Sequence, residues 1–590
     1  MPPEESQFLL LARHFFGRFF DNELVSRHGE MRVTVVQILA VLAVPGLFVS
    51  LYLMPRYVSL AFQPPEQRLL ALTVDRYLFL QFGMVVMGFI TVLEWDALFP
   101  DRRDYRILTP LPLPLRAIFT AKLCALVLFL VLFAVDVNGL GAFLFPMAAA
   151  GAHEPLVHTL AQAAAHLASL LAASAFIFFF CVALQGAMLN VLSIRLFLRV
   201  SPYMQFLLLS ALLLLLLLFP RISMALHPWR HANNVFLYLL PPMWFLGIYE
   251  VLLGSTDPVM HALAAVAWRG LGTVVLLTTA TYWMSYRRQI RRTMESPENG
   301  AASPSRIGAL AAKFAEVLVV RHPVEQAAFY FVVKTLARSR KHKLFLIGYA
   351  GLGFALVLEG LIGVISARGF VFQPSPEMLS VPLVLSFFLL SGMRVVFAVP
   401  AELRANWVFR LAEGDERRCL AGARKAMATL GIVPLFAAMA LLFGTLWGWW
   451  PALVYLIFSL TLAWLLMEAL LLNFRKIPFT CSYLPGKSNM TLRGVFYWVG
   501  FTLYAYSMAR LELWLLDNPL RLAVFYAMAW AGLIALVRYR NRLLEEDSTL
   551  MYEEEPEPVV RTLNLSEGLR LAGGGKLGYS GIAPRWPPSD

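Results

Sequence analysis

Charge and cysteine are both scarce in this chain, and each scarcity closes off a class of protein. Only 15% of the 590 residues are charged while 59% are hydrophobic, with a mean hydropathy of +0.66; soluble domains run at roughly 25% charged and 45–50% apolar. A soluble fold is excluded, and the expected class is an all-α polytopic membrane protein. The four cysteines, Cys124, Cys181, Cys419 and Cys481, form no C-x-x-C pair, so neither disulfides nor a structural metal is expected. Acids are outnumbered, 37 against 50 Lys and Arg, giving a formal net charge of +13. That excess does not point to nucleic acid, because the basic residues cluster beside apolar runs, as the positive-inside rule and anionic headgroups require.

Other signatures are absent or broken. The opening MPPEESQFLLLARHFFGRFF is acidic before a very short apolar run, the reverse of a signal peptide, and is expected to stay attached on the cytoplasmic side. CSYLPGKS, Cys481 to Ser488, ends like a phosphate-binding loop but has Cys481 where the loop needs glycine, and no nucleotide-binding fold fits between its flanking spans. His153, Glu154 and His158 resemble a zinc helix motif, yet the histidines are five apart and Pro155 intervenes, while His227 and His231 are only two ligands. No catalytic constellation is present, and the chain is not expected to be an enzyme or to hold a cofactor of its own.

What the chain does have is long apolar runs, each near the ~20 residues a bilayer demands. They lie near Val33–Leu53, Tyr77–Leu93, Leu123–Phe143, Leu160–Leu192, Met204–Phe219, Leu263–Tyr286, Leu344–Ile365, Val381–Val399, Met427–Leu446, Ala452–Leu472, Val495–Leu515 and Leu520–Val537. Twelve crossings with both termini inside place the densest basic clusters on one side, although Arg56, Arg68, Arg76, Arg221 and Arg230 then fall outside. Residues 221–261, broken by Pro241 and Pro242, suit outer re-entrant or interfacial helices. Phe8, Leu11, Phe15 and Phe19 form one stripe, the pattern of a helix lying in the membrane interface.

The stretch Glu94–Lys122, EWDALFPDRRDYRILTPLPLPLRAIFTAK, interrupts two of these runs with charge and then with Pro110, Pro112 and Pro114. A short charged helix and a rigid bend are expected there. It resembles the loop after the second span of ATP-binding-cassette export permeases of the type-two class. The resemblance implies a coupling helix gripped by a separate ATPase subunit that uses ATP, with Asp101, Arg102, Arg103, Asp104 and Arg116 as contacts. Export in the cell inner (cytoplasmic) membrane follows from the same likeness.

A second copy, ANWVFRLAEGDERRCLAGARKAMATL, keeps the order of features without the prolines: Trp407 for Trp95, Asp415 to Arg418 for Asp101 to Arg103, and Lys425 for Lys122. The second coupling contacts would be Asp415, Glu416, Arg417 and Arg418. The chain then divides into an interfacial helix (1–32), a first six-span half (33–292), a linker and second interfacial helix (293–343), a second half (344–542) and a disordered acidic tail (543–590). Such an internal pseudo-dimer leaves stoichiometry open, a homodimer included. Asp136, Arg269 and Glu359 fall at similar depth within spans, where charge is costly and often functional; Arg269 is expected to pair with Asp136 or Glu359. Arg394, Glu468, Arg510 and Glu512, nearer span ends, are expected to snorkel. The rival functions are a twelve-span ion-coupled secondary transporter and, behind it, a membrane-embedded lipid or glycan enzyme, which needs outer-loop catalytic acids and finds a meagre supply in Glu66 and Asp75.

Overall fold

The computed structural model of the chain describes residues 7–19, 31–60, 62–99, 108, 110–111, 113–150, 155–295, 320–369, 372–403, 406, 408–409, 416–472, 474, 476–481, 490–546 and 553. Among these residues the extended regular elements are helices alone, and eleven helical stretches are long and apolar enough to cross a membrane. The first half holds α1 (Gln7–Gly17), α2 (Met31–Leu60), α3 (Pro65–Leu93), α4 (Leu115–Ala149), α5 (Leu156–Val191), α6 (Ile194–Leu217), the short α7 (Phe219–His231), α8 (Phe236–Leu239) and α9 (Pro241–Leu252), and α10 (Pro258–Glu295). The second holds α11 (Pro323–Arg338), α12 (Arg340–Arg368), α13 (Pro376–Val396), α14 (Glu416–Met427), α15 (Val433–Trp447), α16 (Trp449–Leu471), α17 (Met490–Thr502), α18 (Met508–Leu516) and α19 (Pro519–Glu546).

A π turn at Ala428–Ile432 joins α14 to α15, and another at Leu503–Ser507 joins α17 to α18 where a further span is expected from the sequence. Helix ends follow local chemistry. Ser193 and Ser375 cap α6 and α13 by accepting from Leu196 N and Met378 N. Gly448, at φ 86°, makes the sharp turn between α15 and α16 that a side chain would strain. The spans alternate, so one end of the bundle carries α1, α11 and the last turn of α19; this is called the basic end, and the opposite one the far end.

The second span of each half is its hub. The apolar window of α3 is 72% buried and that of α13 is 78%, against 17% for α2, 22% for α12 and 6% for α19. The two halves are otherwise packed differently. Span α2 runs along α4, where a side chain on Gly46 would come within 3.2 Å of Gly141 N, whereas α12 runs along α13, with Gly353 against Phe388 and Gly392 against Tyr349. The halves meet where α6 packs on α12, with the rings of Phe206 and Phe354 5.4 Å apart.

Two boundaries differ from expectation. Helix α2 continues through Pro55 and Arg56 to Leu60, and α3 already starts at Pro65. The expected loop shrinks to the few residues between Leu60 and Pro65, and Asp75 is a buried helical residue rather than a loop acid. Helix α19 likewise extends past residue 542, to Glu546.

Candidate functional site

At the basic end, an amphipathic helix braces the start of the third span in each half. In the first, Leu11, Phe15 and Phe19 of the α1 segment are buried against α4, Phe19 lies 4.6 Å from Phe129, and Phe8 stays exposed. Lys122 is only 3% exposed, its ammonium 5.2 Å and 4.7 Å from the Phe15 and Phe19 rings, within cation–π range. In the second half α11 packs on α14 so closely that a side chain on Gly422 would meet Glu325 O at 2.4 Å. Lys425 Nζ stands 2.5 Å from Glu325 Oε2. The two lysines aligned by sequence therefore both fasten a third span to the helix before the first span of its half, one by a ring face and one by a carboxylate.

Both hub spans end in built corners. After α3, Trp95 is fully buried and Gln185 Nε2 donates to its carbonyl at 2.8 Å. Burial, with Asp96 adding to it and Lys122 opposing, pushes the Glu94 carboxyl up to about 7. After α13, Phe479 N donates to Phe397 O at 2.9 Å and Ala401 N to Phe479 O at 2.8 Å, which holds Phe479 at φ 66°. Buried Asn406 donates to the carbonyls of Thr480 and Glu553, at 2.9 and 2.6 Å, so the tail touches this corner at Glu553.

The expected coupling contacts are only partly described. Asp101, Arg102, Arg103, Asp104 and Asp415 lie outside the described residues, as do Trp407, His153 and Glu154. Arg116 and Glu416 open α4 and α14. Arg417 and Arg418 are exposed on the first turn of α14, with Arg418 against the His322 ring.

At the far end, each arginine that broke the positive-inside pattern has a partner. Arg56 bonds Asp75 at 3.0 Å, with Tyr57 OH donating to the same carboxylate at 2.7 Å. Arg76 pairs with Glu250 of α9 at 2.8 Å, both nearly buried, with Tyr249 under its guanidinium and buried His166 beside that ring. Arg230 pairs with Asp257 at 2.6 Å, and Arg68 donates to Ala149 O at 2.9 Å. The buried Arg76–Glu250 pair holds α9 against α3, where an isolated charge would be untenable.

The intramembrane charges are arranged differently from expectation. Glu359 pairs with Arg221, whose Nε and Nη2 reach Oε1 at 3.0 and 2.9 Å, and not with Arg269. Arg269 is exposed and forms no ion pair among the described residues, and Asp136 Oδ2 is buried without a hydrogen-bond partner among them. Arg221 stands out in the sequence only as a misplaced cation, and nothing in its spacing links it to Glu359, 138 positions away. At the basic end of the same seam Arg340 Nη1 lies 3.0 Å from Asp96 Oδ1. The contact between halves thus has an ion pair at each end.

Two residues expected to snorkel do not. Glu468 is 1% exposed and held by Arg424 at 2.9 Å and by Arg540, and Glu512 is fully buried with neither carboxyl oxygen bonded among the described residues. Arg394 donates to Leu470 O at 3.0 Å over the Phe474 ring. No group of three or more His, Cys, Asp or Glu residues that could hold a metal occurs among the described residues. Comparison with known protein families, curated proteins and solved structures found no match to this chain.

Proposed function

We infer that this multi-pass membrane protein is the permease subunit of an ATP-binding-cassette export system, worked by separate ATPase subunits that bind the ATP. In this reading the ATPases grip the loops around Asp101–Asp104 and Asp415–Arg418, both termini face the cytoplasm, and the membrane is the cell inner membrane. The observation that carries it is the burial pattern: the span feeding each loop is the most buried apolar window of its half. A push on either loop enters a hub that touches most of its neighbours, while the lysine-anchored helices α1 and α11 hold the adjacent third span. Packed interiors transmit such displacements because they are stiff.

The test is purification of the full chain from its host in mild detergent, with quantitative mass spectrometry of what accompanies it. A cassette ATPase at comparable molar amount, lost when Asp101 to Asp104 are replaced by alanine, supports the reading; purification with no such ATPase overturns it. The ion-coupled alternative draws on one observation, the buried Glu512 carboxyl with no hydrogen-bond partner among the described residues, since such groups carry protons in transporters. A proton flux into vesicles holding the chain alone, lost in Glu512→Gln, would favour that alternative.

A further inference from the structure

Between the two halves, at the far end, lies a cavity of about 330 Å³ lined by Arg221, Glu359, Arg368, Glu377, Ser380 and Tyr506. Arg221 comes from α7 of the first half, and the rest come from α12, α13 and the π turn of the second. The size falls within the range of small-molecule sites, roughly 300–1,000 Å³. Two arginines and two glutamates make the lining electrically balanced, while Val357, Val364, Val381 and Val384 supply apolar wall. A purely anionic or purely cationic ligand would leave two of the four charges opposed.

The charges are also incompletely used. Both contacts from Arg221 go to Glu359 Oε1, so Arg221 Nη1 and Glu359 Oε2 make no hydrogen bond among the described residues. The pair keeps side-chain exposures of 42% and 30%, unlike the sealed Arg76–Glu250 pair at 6% and 9%. From Glu359 to Arg368 the lining climbs nine residues of α12, about 14 Å at 1.5 Å per residue. That distance reaches from the apolar layer to the helix end, the path of an amphiphile's headgroup and first chain carbons. Two glycines shape the space. A side chain on Gly363 would strike Arg221 Nη2 at 2.5 Å, so the guanidinium seats only against bare backbone; Gly360 also lines the cavity and faces open space.

We propose that this cavity binds a zwitterionic amphiphile of the phosphoethanolamine-lipid type, its phosphate toward Arg221 and Arg368 and its ammonium toward Glu359 and Glu377. The inference stands apart from the ATPase reading, since it rests on the cavity alone. The test is native mass spectrometry of the full chain in detergent with added dioleoyl phosphatidylethanolamine, dioleoyl phosphatidylglycerol or free phosphoethanolamine. The wild type should retain one phosphatidylethanolamine in preference to phosphatidylglycerol. Gly360→Phe, which fills the cavity without removing a charge, should weaken that retention about tenfold by occupying the space, as should the charge-removing pair Arg221→Gln with Glu359→Gln through loss of charge-assisted hydrogen bonds. Equal retention by wild type and both variants, or preference for phosphatidylglycerol, would overturn the proposal. Free phosphoethanolamine binding as well as the lipid would overturn its amphiphile part, and if Gly360→Phe does not fold, the double glutamine variant decides alone.

Discussion

Glu325 of α11 receives Lys425 of α14 at 2.5 Å. The pair is partly shielded, with side chains 17% and 30% exposed, and it sits where the two helices come closest. Replacing Lys425 by Met, or Glu325 by Gln, is expected to lower stability by about 1 kcal/mol each. A double-mutant cycle read by thermal unfolding in detergent should show that the two losses are not additive.

Arg76 and Glu250 are a harsher case, because both are nearly buried and α9 has few other polar ties to α3. Glu250→Ala leaves an uncompensated guanidinium and is expected to cost about 3–5 kcal/mol, the usual effect of removing one partner of a buried pair. Thermal unfolding should show that loss, and protease digestion should cut the α7–α9 region faster. An unchanged melting curve would contradict the burial described here.

The pairing at the far end of the seam is testable by exchange. Arg221→Glu and Glu359→Arg should each destabilise the protein, and the two together should recover much of the loss. Combining Glu359→Arg with Arg269→Glu should recover nothing, since Arg269 is not the partner.

Glu94 gives a pH dependence of defined sign. Its folded carboxyl titrates near 7, above the unfolded value of roughly 4.3, so the unfolded state releases its proton first. Below the unfolded value the group contributes no penalty; as pH rises from there toward 7 the penalty grows, and it is complete above 7. Glu94→Gln should flatten this part of the stability profile and raise stability at pH 8. A steeper decline in the variant would reverse the assigned sign.

The Asn406 clasp predicts a local effect. Asn406→Ala removes both side-chain donations to Thr480 O and Glu553 O. Hydrogen exchange at the Glu553 amide, which donates to Thr480 O at 3.1 Å, should accelerate, with α3 unaffected.

How much of this was legible in the sequence depends on range. The spans are readable because each is a local apolar run; the stripe Phe8, Leu11, Phe15 and Phe19 is local too, but it points to a helix in the membrane interface, whereas Leu11, Phe15 and Phe19 are buried against α4, a contact between elements that spacing does not report. The limits of α2 and α3 are not legible locally, because Arg56, Arg68 and Arg76 signal a loop when taken alone. They are helical because each finds a partner across a turn or between elements, Asp75, Ala149 and Glu250 respectively, and no spacing rule reports such meetings. Glu512 and Glu468 are buried rather than snorkelling for the same reason: counting residues to a span end measures depth but not what packs beside it. Lys122 and Lys425 were matched by order alone, and the structure adds that their equivalence is one of position, with different chemistry in each half.

The pairing of the far-end arginines has a consequence for the membrane itself. Four of those five arginines are matched by acids, so they add little net charge to the far end, while at the basic end Arg417 and Arg418 stand exposed. In a bilayer, exposed cations at one end and matched ones at the other would draw anionic lipid to one leaflet more than to the other. Its orientation is thereby reinforced by the lipid it attracts.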